Sequence, residues 1–488
     1  MYLGIDLGTS STKCLVIDEN QKILSSSSSD YSLSTPKSGW AEQDPSFWIN
    51  GLSQCLQNIS KEINLKEIKS ISFSGQMHGA TCLDKEGNII RPSILWNDTR
   101  SINESLTMME NNPDIMDITG NLLMPGFTAP KIVWMKEKEP ENFKLISKVL
   151  LPKDYLRFYL SGEFFSDMSD ASGTYWLNVG ERKWSKDLLD ICNLTEENMP
   201  SLCEGTDQTG VVSRKIADLY GFNYQCKIIG GAGDNAAGAV GLGLFSEGDG
   251  SISLGTSGVI FTPTSIFKKN YHDATHSFCH CIPNKWHLMT VMLSCTSNIN
   301  WFKDTFKISL KELFNNFEDN FKRDEVNSPY YLPYLAGERT PINDPFIRGS
   351  FSNIGLQTKI EDMSYSVIEG ISFGMFDNYL SLEKADLDIN NLYVIGGGSQ
   401  NDHWLSMLST LLNKDLIITE ESSAMAALGA ARIALIGDRN SIIEEVLKKP
   451  NTLKIINPNT DKYEKLISRF KIWKQVYEHS KPLAPKLL

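Results

Sequence analysis

A lone acidic side chain stands in a segment built almost wholly from small residues. The segment is IIGGAGDNAAGAVGLG, residues 228–243, in which six Gly and four Ala surround Asp234 and Asn235. One interpretation is structural, because Asp is a favoured helix N-cap and NAAGAVG could follow it as a closely packed helix. The other is that the small residues clear space for a ligand that the carboxylate faces. The two interpretations are compatible, since a carboxylate at a helix start can also face a substrate.

A second set of candidate groups lies in two copies of the tetrapeptide LGTS. The copies are residues 7–10, within GIDLGTSSTKCLVID, and residues 254–257, within GSISLGTSGVIFTP. Runs rich in β-forming residues flank each copy, which predicts a hairpin with a short polar tip. Backbone N–H groups and hydroxyls at such a tip suit phosphate oxygens. The tip residues are Gly8, Thr9 and Ser10 in the first copy and Gly255, Thr256 and Ser257 in the second.

The two hairpins differ at one position that suits a metal ion. Alignment on LGTS pairs Asp6 with Ser253, so only the first hairpin carries a carboxylate beside its tip. Mg²⁺ prefers one or two carboxylates together with phosphates and waters. Asp6 is therefore a candidate magnesium ligand, and a polar strand end is the alternative.

Polar residues also follow other predicted strands. IKSISFSG, residues 68–75, runs into GQMHGA, which offers Gln76 and His78 as hydrogen-bonding groups. Such groups suit the hydroxyls of a sugar, although a structural role explains a lone His equally well. WNDTR, residues 96–100, is a similar polar cluster with the face of Trp96, and a packed loop is its alternative.

A third Gly-rich segment has the composition of a nucleotide contact. GGGSQNDHW, residues 396–404, follows the predicted strand NLYVI and leads into a predicted helix. Gly397 and Gly398 would let a flat adenine approach the backbone closely, and a plain tight turn is the alternative. The chain lacks the Walker sequence GxxxxGK[ST], so a P-loop is not predicted.

The elements that must position these residues alternate between strands and helices. Buried strands ending in Gly are predicted at 68–75, 227–231 and 391–398, and helices at 362–384 and 423–437. Alternation of this kind predicts an α/β fold, with ligands at the carboxyl ends of the strands. Because each LGTS hairpin opens one half of the chain, we expect two related domains, 1–245 and 246–488.

The composition and net charge of the chain limit the kinds of ligand and partner that it is expected to bind. The chain has 488 residues and a net charge of -12, and it lacks a dense basic block, so nucleic acid is not an expected partner. An anionic ligand must then be held by backbone N–H groups and a metal ion.

The N-terminus lacks a signal-peptide pattern and no long apolar run occurs, so we expect a cytoplasmic protein without a membrane segment. Nine scattered Cys are typical of reduced thiols, and HDATHSFCHCI, residues 272–282, is predicted as a strand rather than a zinc site.

Taken in order, the segments resemble the FGGY family of carbohydrate kinases over nearly the whole chain. No single segment decides this, but eleven occur in the family's order. They are GIDLGTSSTK, GQMHGA, WNDTR, GNLLMPGFTAPKIVWMKE, LPKDYLR, SDMSDASGTYWL, GAGDNAAGAVG, SLGTSG, HSFCH, LPYLAGERTP and GGGSQNDHW.

The resemblance implies a fold and a reaction. The implied fold has two ribonuclease-H-like domains of the actin and hexokinase type, with ATP and sugar meeting in the cleft between them. The implied reaction transfers the γ-phosphoryl group of ATP, with Mg²⁺, to the terminal hydroxyl of D-xylulose. A kinase of another sugar and a non-enzymatic nucleotide switch are the alternatives, and a homodimer is left open.

The resemblance also implies roles for individual residues. Asp234 corresponds to the catalytic base and Asp6 to the metal-associated carboxylate. The implied sugar-binding residues are Gln76, Met77, His78, Trp96, Asp234 and Asn235. The implied nucleotide-binding residues are Gly8, Thr9, Ser10, Thr12, Lys13, Gly255, Thr256, Ser257, Gly397, Gly398 and Asn401.

Overall fold

The chain folds into two α/β domains, each built around a mixed seven-stranded sheet. The computed structural model describes residues 1–323, 328–420, 424–439 and 442–484. In the first half the strands are β1 (Tyr2–Leu7), β2 (Ser11–Ile17), β3 (Ile23–Asp30), β4 (Glu42–Gln43), β5 (Ser70–Gly75), β6 (Thr81–Leu83), β7 (Ser93–Ile94), β8 (Lys148–Leu150), β9 (Phe165–Asp167), β10 (Leu177–Asn178), β11 (Lys183–Trp184), β12 (Ser201–Cys203), β13 (Gln208–Val211), β14 (Lys227–Ile229) and β15 (Ala232–Gly233). In the second half they are β16 (Asp249–Leu254), β17 (Gly258–Thr264), β18 (His276–Cys279), β19 (Trp286–Met292), β20 (Tyr330–Leu332), β21 (Ser350–Ser352), β22 (Asn391–Ile395), β23 (Leu416–Thr419) and β24 (Thr452–Ile456).

Helices cover these sheets and connect their strands. The first half contains α1 (Pro45–Ile59), α2 (Ile102–Asn111), α3 (Ile115–Thr119), α4 (Thr128–Lys138), α5 (Pro140–Lys144), α6 (Pro152–Ser161), α7 (Met168–Ala171), α8 (Lys186–Ile191), α9 (Arg214–Tyr220) and α10 (Asp234–Gly241). The second half contains α11 (Thr296–Phe306), α12 (Leu310–Lys322), α13 (Ile360–Glu383), α14 (Asp402–Leu412), α15 (Met425–Arg439), α16 (Ile443–Val446) and α17 (Thr460–Ser480). In the described part of the chain, no helix is both long and apolar enough to cross a bilayer.

Six strands of the two large sheets correspond. The order β3-β2-β1-β5-β14-β13 in the first sheet matches β19-β17-β16-β22-β23-β24 in the second, which adds β18 at one edge. The first runs β13-β14-β5-β1-β2-β3, with β15 pairing β5, and the second runs β18-β19-β17-β16-β22-β23-β24. In each sheet an antiparallel hairpin, β1–β2 or β16–β17, lies beside a strand parallel to its first member, β5 or β22. This repeated arrangement confirms the two ribonuclease-H-like domains, and it brings both LGTS tips to strand ends.

Most predicted elements are present, with shifted ends. The two hairpins form as predicted, and HDATHSFCHCI contributes β18. The helix predicted at 362–384 spans Ile360–Glu383. The helix predicted at 423–437 is observed as Met425–Arg439, and its first predicted residue lies outside the described residues.

Helix α15 belongs to the second half of the sequence but packs on the first sheet, against β1 and β5, and on α10. Small residues make this approach possible. A Cβ atom on Gly4 would lie 2.0 Å from the Ala427 carbonyl oxygen, and one on Gly429 would lie 1.9 Å from the Ala237 carbonyl oxygen. Backbone therefore packs directly on backbone where α15 crosses β1 and α10, and this contact holds α10 in place.

Candidate active site

Four of the residues predicted to do chemistry, Asp6, Lys13, Asp234 and Asn235, line one cavity between the two sheets, whereas the two hairpin tips and His78 are not part of its lining. The cavity has a volume of about 390 Å³, and its lining includes Asp6, Lys13 and Asp234 from the first half and Ser253 and Gly396 from the second. The ends of β1, β16 and β22 and the start of α10 therefore surround one space. This is the position at which an α/β fold places its ligands.

Asp234 is the first residue of α10, and the N-cap of this helix is Gly233. The Asp234 Oδ1 atom accepts hydrogen bonds from the Asn235 backbone N–H at 2.7 Å and from Asn235 Nδ2 at 2.8 Å. Within the described residues Oδ2 accepts no hydrogen bond from protein, so it can receive a proton from a ligand in the cavity. The structure thus places Asp234 at a helix start without making it the capping residue.

The environment of Asp234 suits a general base at neutral pH. Loss of water around the carboxyl group and, to a smaller extent, the nearby charge of Asp6 raise its pKa to about 7, against the opposing effect of the hydrogen bonds from Asn235. A base titrating near the working pH combines a sizeable ionised fraction with a strong affinity for the proton. The half-buried side chain is therefore poised for proton transfer.

Asp6 lies at the end of β1 in the same cavity. Its Oδ1 atom accepts a hydrogen bond from Ser74 Oγ at 2.8 Å, on the adjacent strand β5. Burial raises the pKa of Asp6, while Ser74 and Lys13 oppose the rise. A second carboxylate, Asp234, lines the same space, so a cation there would lower the cost of both charges. Oxygen ligands beside a phosphate-binding turn fit Mg²⁺.

The first hairpin tip is held by hydrogen bonds from neighbouring loops. The Gly8 N–H donates to the Ser11 carbonyl oxygen at 2.9 Å, which closes the turn. Trp96 Nε1 donates to the Thr9 hydroxyl oxygen at 2.9 Å, and that hydroxyl lies 3.2 Å from Gln76 Oε1. The tip is therefore fixed to the predicted sugar-binding segment, while Ser10 remains exposed.

The second hairpin tip is anchored to a helix instead. The carbonyl oxygens of Gly255 and Thr256 accept hydrogen bonds from the N–H groups of Thr296 and Cys295, at 2.9 and 2.8 Å. These donors lie at the start of α11. Thr256 is exposed at the tip, and Ser253 and Val259, on the two strands that flank it, line the cavity.

Two neighbouring residues of β2 face in opposite directions. Lys13 lines the cavity, whereas Thr12 is fully buried and its hydroxyl lies 3.4 Å from the Tyr31 hydroxyl. Alternation along a strand accounts for the difference. The structure thus brings Lys13 to the site and places Thr12 beneath the hairpin.

His78 has an unusual backbone conformation and a neutral ring that can accept a hydrogen bond from a ligand. Its φ is 68°, a left-handed conformation that is uncommon for a residue with a side chain. Burial lowers the pKa of His78 to about 3, so the ring is neutral. Nδ1 lies 2.7 Å from the Gly173 carbonyl oxygen and must donate to it, which leaves Nε2 as an acceptor for a hydroxyl group.

Three other predicted sugar-binding residues, Gln76, Met77 and Trp96, belong to the same domain as His78. Gln76 is buried and lies next to the first hairpin tip. Met77 is buried against Gly233, where a Cβ atom would lie 2.9 Å from the Met77 sulfur. Trp96 is 43% exposed, and its indole N–H donates to Thr9 at the first hairpin tip.

The third Gly-rich segment forms a turn at the end of β22. Gly396 has a φ of 88°, which favours glycine, and a Cβ atom on Gly397 would meet no atom within 4 Å. Gly398 instead packs tightly, since its Cβ would lie 2.6 Å from the Trp404 ring. Asn401 caps α14 by accepting a hydrogen bond from the Trp404 N–H at 2.9 Å. Gly397 therefore offers open space, whereas Gly398 and Asn401 hold the turn.

Sequence reasoning assigned no role to a group of buried charges behind the site. Lys153 Nζ lies 2.6 Å from Asp154, 2.6 Å from Asp167 and 3.1 Å from Asp170, and all four side chains are fully buried. The signal was present, because LPKDYLR and SDMSDASGTYWL place several charges in otherwise apolar segments. Which of these charges pair depends on the fold and could not be inferred.

Comparison with known proteins places this fold and site in one family. Residues 1–241 match the FGGY family of carbohydrate kinases, N-terminal domain, and residues 250–437 match its C-terminal domain. The chain belongs to the FGGY family of carbohydrate kinases, and it is an ATP-dependent kinase.

Particular relatives cover the chain from end to end. It is 38% identical to the xylulose kinase of Escherichia coli strain K12, over 99% of this chain and 100% of the relative. It is 37% identical to that of Klebsiella pneumoniae, over 99% and 100%. A crystal structure named as a xyloylose kinase from Brucella ovis superposes with a TM-score of 0.94 at 40% identity, covering 99% of each chain. Family membership decides against the nucleotide-switch alternative.

Proposed function

We propose that this protein transfers the γ-phosphoryl group of ATP to the 5-hydroxyl group of D-xylulose, giving D-xylulose 5-phosphate and ADP for xylose catabolism. The observation that carries the proposal is the meeting of Asp234, Asp6 and Lys13 in one cavity, which the strands of the second LGTS hairpin also line through Ser253 and Val259. The relatives named as xylulose kinases support the choice of acceptor.

Asp234 acts as the general base. As the 5-hydroxyl oxygen bonds to the γ-phosphorus atom, the bond between that atom and the β–γ bridging oxygen breaks and ADP leaves. The hydroxyl proton passes to Asp234 Oδ2, while Asn235 holds Oδ1. Proton transfer of this kind contributes on the order of 10² to 10⁴ in rate.

Charge neutralisation and positioning supply the rest of the catalysis, because phosphoryl transfer passes through a loose transition state. Asp6 would hold Mg²⁺, which offsets negative charge on the phosphates. The N–H groups and hydroxyls of the two hairpin tips bind phosphate oxygens, and Lys13 adds a positive charge. Gly397 leaves room for the adenine.

The sugar lies on the first domain. His78 Nε2 accepts a hydrogen bond from a sugar hydroxyl, Met77 and the partly exposed Trp96 pack against its carbon atoms, and Gln76 fixes the neighbouring tip. A site built from directed acceptors rejects sugars whose hydroxyls point elsewhere.

A substrate panel tests this assignment. ADP release is measured with purified protein, ATP and Mg²⁺ across D-xylulose, D-ribulose, L-ribulose, D-xylose, xylitol and glycerol. We expect the highest kcat/KM with D-xylulose. A clear preference for another acceptor contradicts the substrate assignment and leaves the kinase activity intact.

We also propose a cellular location and an assembly state for the protein. All nine Cys are buried free thiols, which supports a reducing compartment, and we place the protein in the cytoplasm. A homodimer without nucleic-acid or membrane partners is the assembly we propose. Sedimentation of the purified protein with and without substrates measures the assembly state.

A further inference from the structure

One short segment of the first domain contacts both the predicted sugar-binding residues and the start of the catalytic helix. It consists of Asp167, helix α7 and the 3₁₀ turn Ser172–Thr174, and is called the 167–174 turn below. At one end the Gly173 carbonyl oxygen accepts the hydrogen bond from His78 Nδ1 at 2.7 Å. At the other end Ser169 Oγ accepts a hydrogen bond from the Gly233 N–H at 3.0 Å.

The bond from Gly233 lies next to the base. Gly233 is buried and is the N-cap residue of α10, so it directly precedes Asp234. A buried backbone N–H without an acceptor is costly, and Ser169 supplies that acceptor. Because Gly233 also packs on Met77, its position affects the base and the sugar pocket together.

Asp167 and Lys153, two buried charged residues, hold the 167–174 turn in place. Asp167 Oδ1 accepts hydrogen bonds from the N–H groups of Ser169 and Asp170, at 3.0 and 3.2 Å, and from Ser169 Oγ at 2.5 Å. Asp167 Oδ2 lies 2.6 Å from Lys153 Nζ. The orientation of the Ser169 hydroxyl is thereby defined: its hydrogen points to Asp167 and its lone pairs face the Gly233 N–H.

Five ionisable side chains make up this anchor, and all are buried: Lys153, Asp154, Arg157, Asp167 and Asp170. Burial raises the pKa of Asp170 well above its usual value, while the charge of Lys153 opposes the rise. Arg157 also donates to the Gly230 carbonyl oxygen, on the segment that leads to Asp234. Apolar packing is often as stable as buried ion pairs, so stability alone is a weak reason for this arrangement.

We propose that the 167–174 turn, anchored by the buried charges around Lys153, positions the catalytic base and His78 relative to each other, with Ser169 as the positioning residue for Asp234. This inference rests on the proposed role of Asp234 as the base. Ser169 acts through the Gly233 backbone, and Gly173 acts through the His78 ring.

Kinetics of paired variants test the proposal. In Ser169→Ala the Gly233 N–H loses its acceptor and the start of α10 shifts, so we expect kcat to fall about tenfold while KM for ATP changes by less than about twofold. In Gly173→Ala a Cβ atom would lie 2.6 Å from His78 Nδ1, so we expect a higher KM for the sugar and an unchanged KM for ATP.

Ser166→Ala is the matched control. Ser166 is equally buried and donates to Asp154 Oδ2 at 2.6 Å, in the same charged cluster but without a bond to the catalytic segment. We expect its kcat to remain within about threefold of the wild-type value. An equal loss of kcat in Ser166→Ala and Ser169→Ala would mean general destabilisation and would overturn the proposal.

Amide hydrogen exchange provides a readout that does not depend on activity. The Gly233 amide is expected to exchange faster in Ser169→Ala than in the wild type or in Ser166→Ala, without ligands. Unchanged exchange at Gly233 overturns the positioning role. If the wild-type protein fails to phosphorylate D-xylulose but the exchange difference is present, the proposed substrate is wrong and the positioning contact stands.

Discussion

The two LGTS hairpins occupy the same place in their sheets but differ in what surrounds them. In the first, Asp6 precedes the tip and accepts a hydrogen bond from Ser74. In the second, Ser253 takes the corresponding place and the tip is tied to the start of α11. The duplicated framework thus supplies two turns of the same kind, and only the first has a carboxylate, Asp6, beside its tip. In the function we propose, both turns bind phosphate, whereas only the first hairpin adds a negative charge, that of Asp6.

Substitution at the position where the two hairpins differ is expected to have the largest effect on kcat. Asp6→Asn removes the carboxylate proposed to hold Mg²⁺, and we expect kcat to fall at least about 100-fold. The equivalent change in the second hairpin, Ser253→Ala, should leave kcat within about threefold. Initial rates over a range of Mg²⁺ concentrations measure both. Similar losses in the two variants would show that the hairpins are functionally equivalent.

A second pair of variants separates the substrates between the domains. His78→Phe keeps an aromatic ring, although a larger one, and removes both ring nitrogens, including the Nε2 acceptor, so KM for D-xylulose should rise about tenfold or more. Gly397→Ala adds a methyl group where no protein atom lies within 4 Å, so KM for ATP should rise while the melting temperature stays unchanged. Steady-state kinetics with each substrate varied in turn provide the measurement. An effect of either variant on the opposite substrate would contradict this division.

The smallest expected effect is on stability. Folding raises the pKa of Asp234 from 3.8 to about 7, so its ionised form destabilises the folded state, and this cost grows as the pH rises from about 4 to above 7. Asp234→Asn carries no charge, so we expect its melting temperature at pH 8 to exceed that of the wild type by about 1–3 °C. The gap should narrow toward pH 4. A gap that does not change with pH would mean that Asp234 is fully solvated.

The local features of this fold could be predicted because their causes are local. The LGTS tips form hairpins since Gly, Thr and Ser turn between β-rich runs, and α13 was predicted from its own apolar spacing. The candidate site followed from the same features together with the family resemblance.

Contacts between distant segments could not be predicted in this way. Ser169 and Gly233 are 64 residues apart, and His78 and Gly173 are 95 apart. The apolar spacing and Ala content of α15 predicted a helix, but not that it would pack on the first sheet. Such pairings depend on the whole fold, and for the same reason the burial of Thr12 beside Tyr31 was not predicted.

The central claim is that Asp234 accepts the proton of the sugar hydroxyl, and Asp234→Asn tests it most directly. The variant should fold, bind ATP with unchanged affinity, and phosphorylate D-xylulose on the order of 10² to 10⁴ times more slowly than the wild type. Single-turnover phosphorylation with excess enzyme, together with calorimetric ATP binding, measures both quantities. A near-normal rate would contradict the account and restore a purely structural role for this carboxylate at the start of α10.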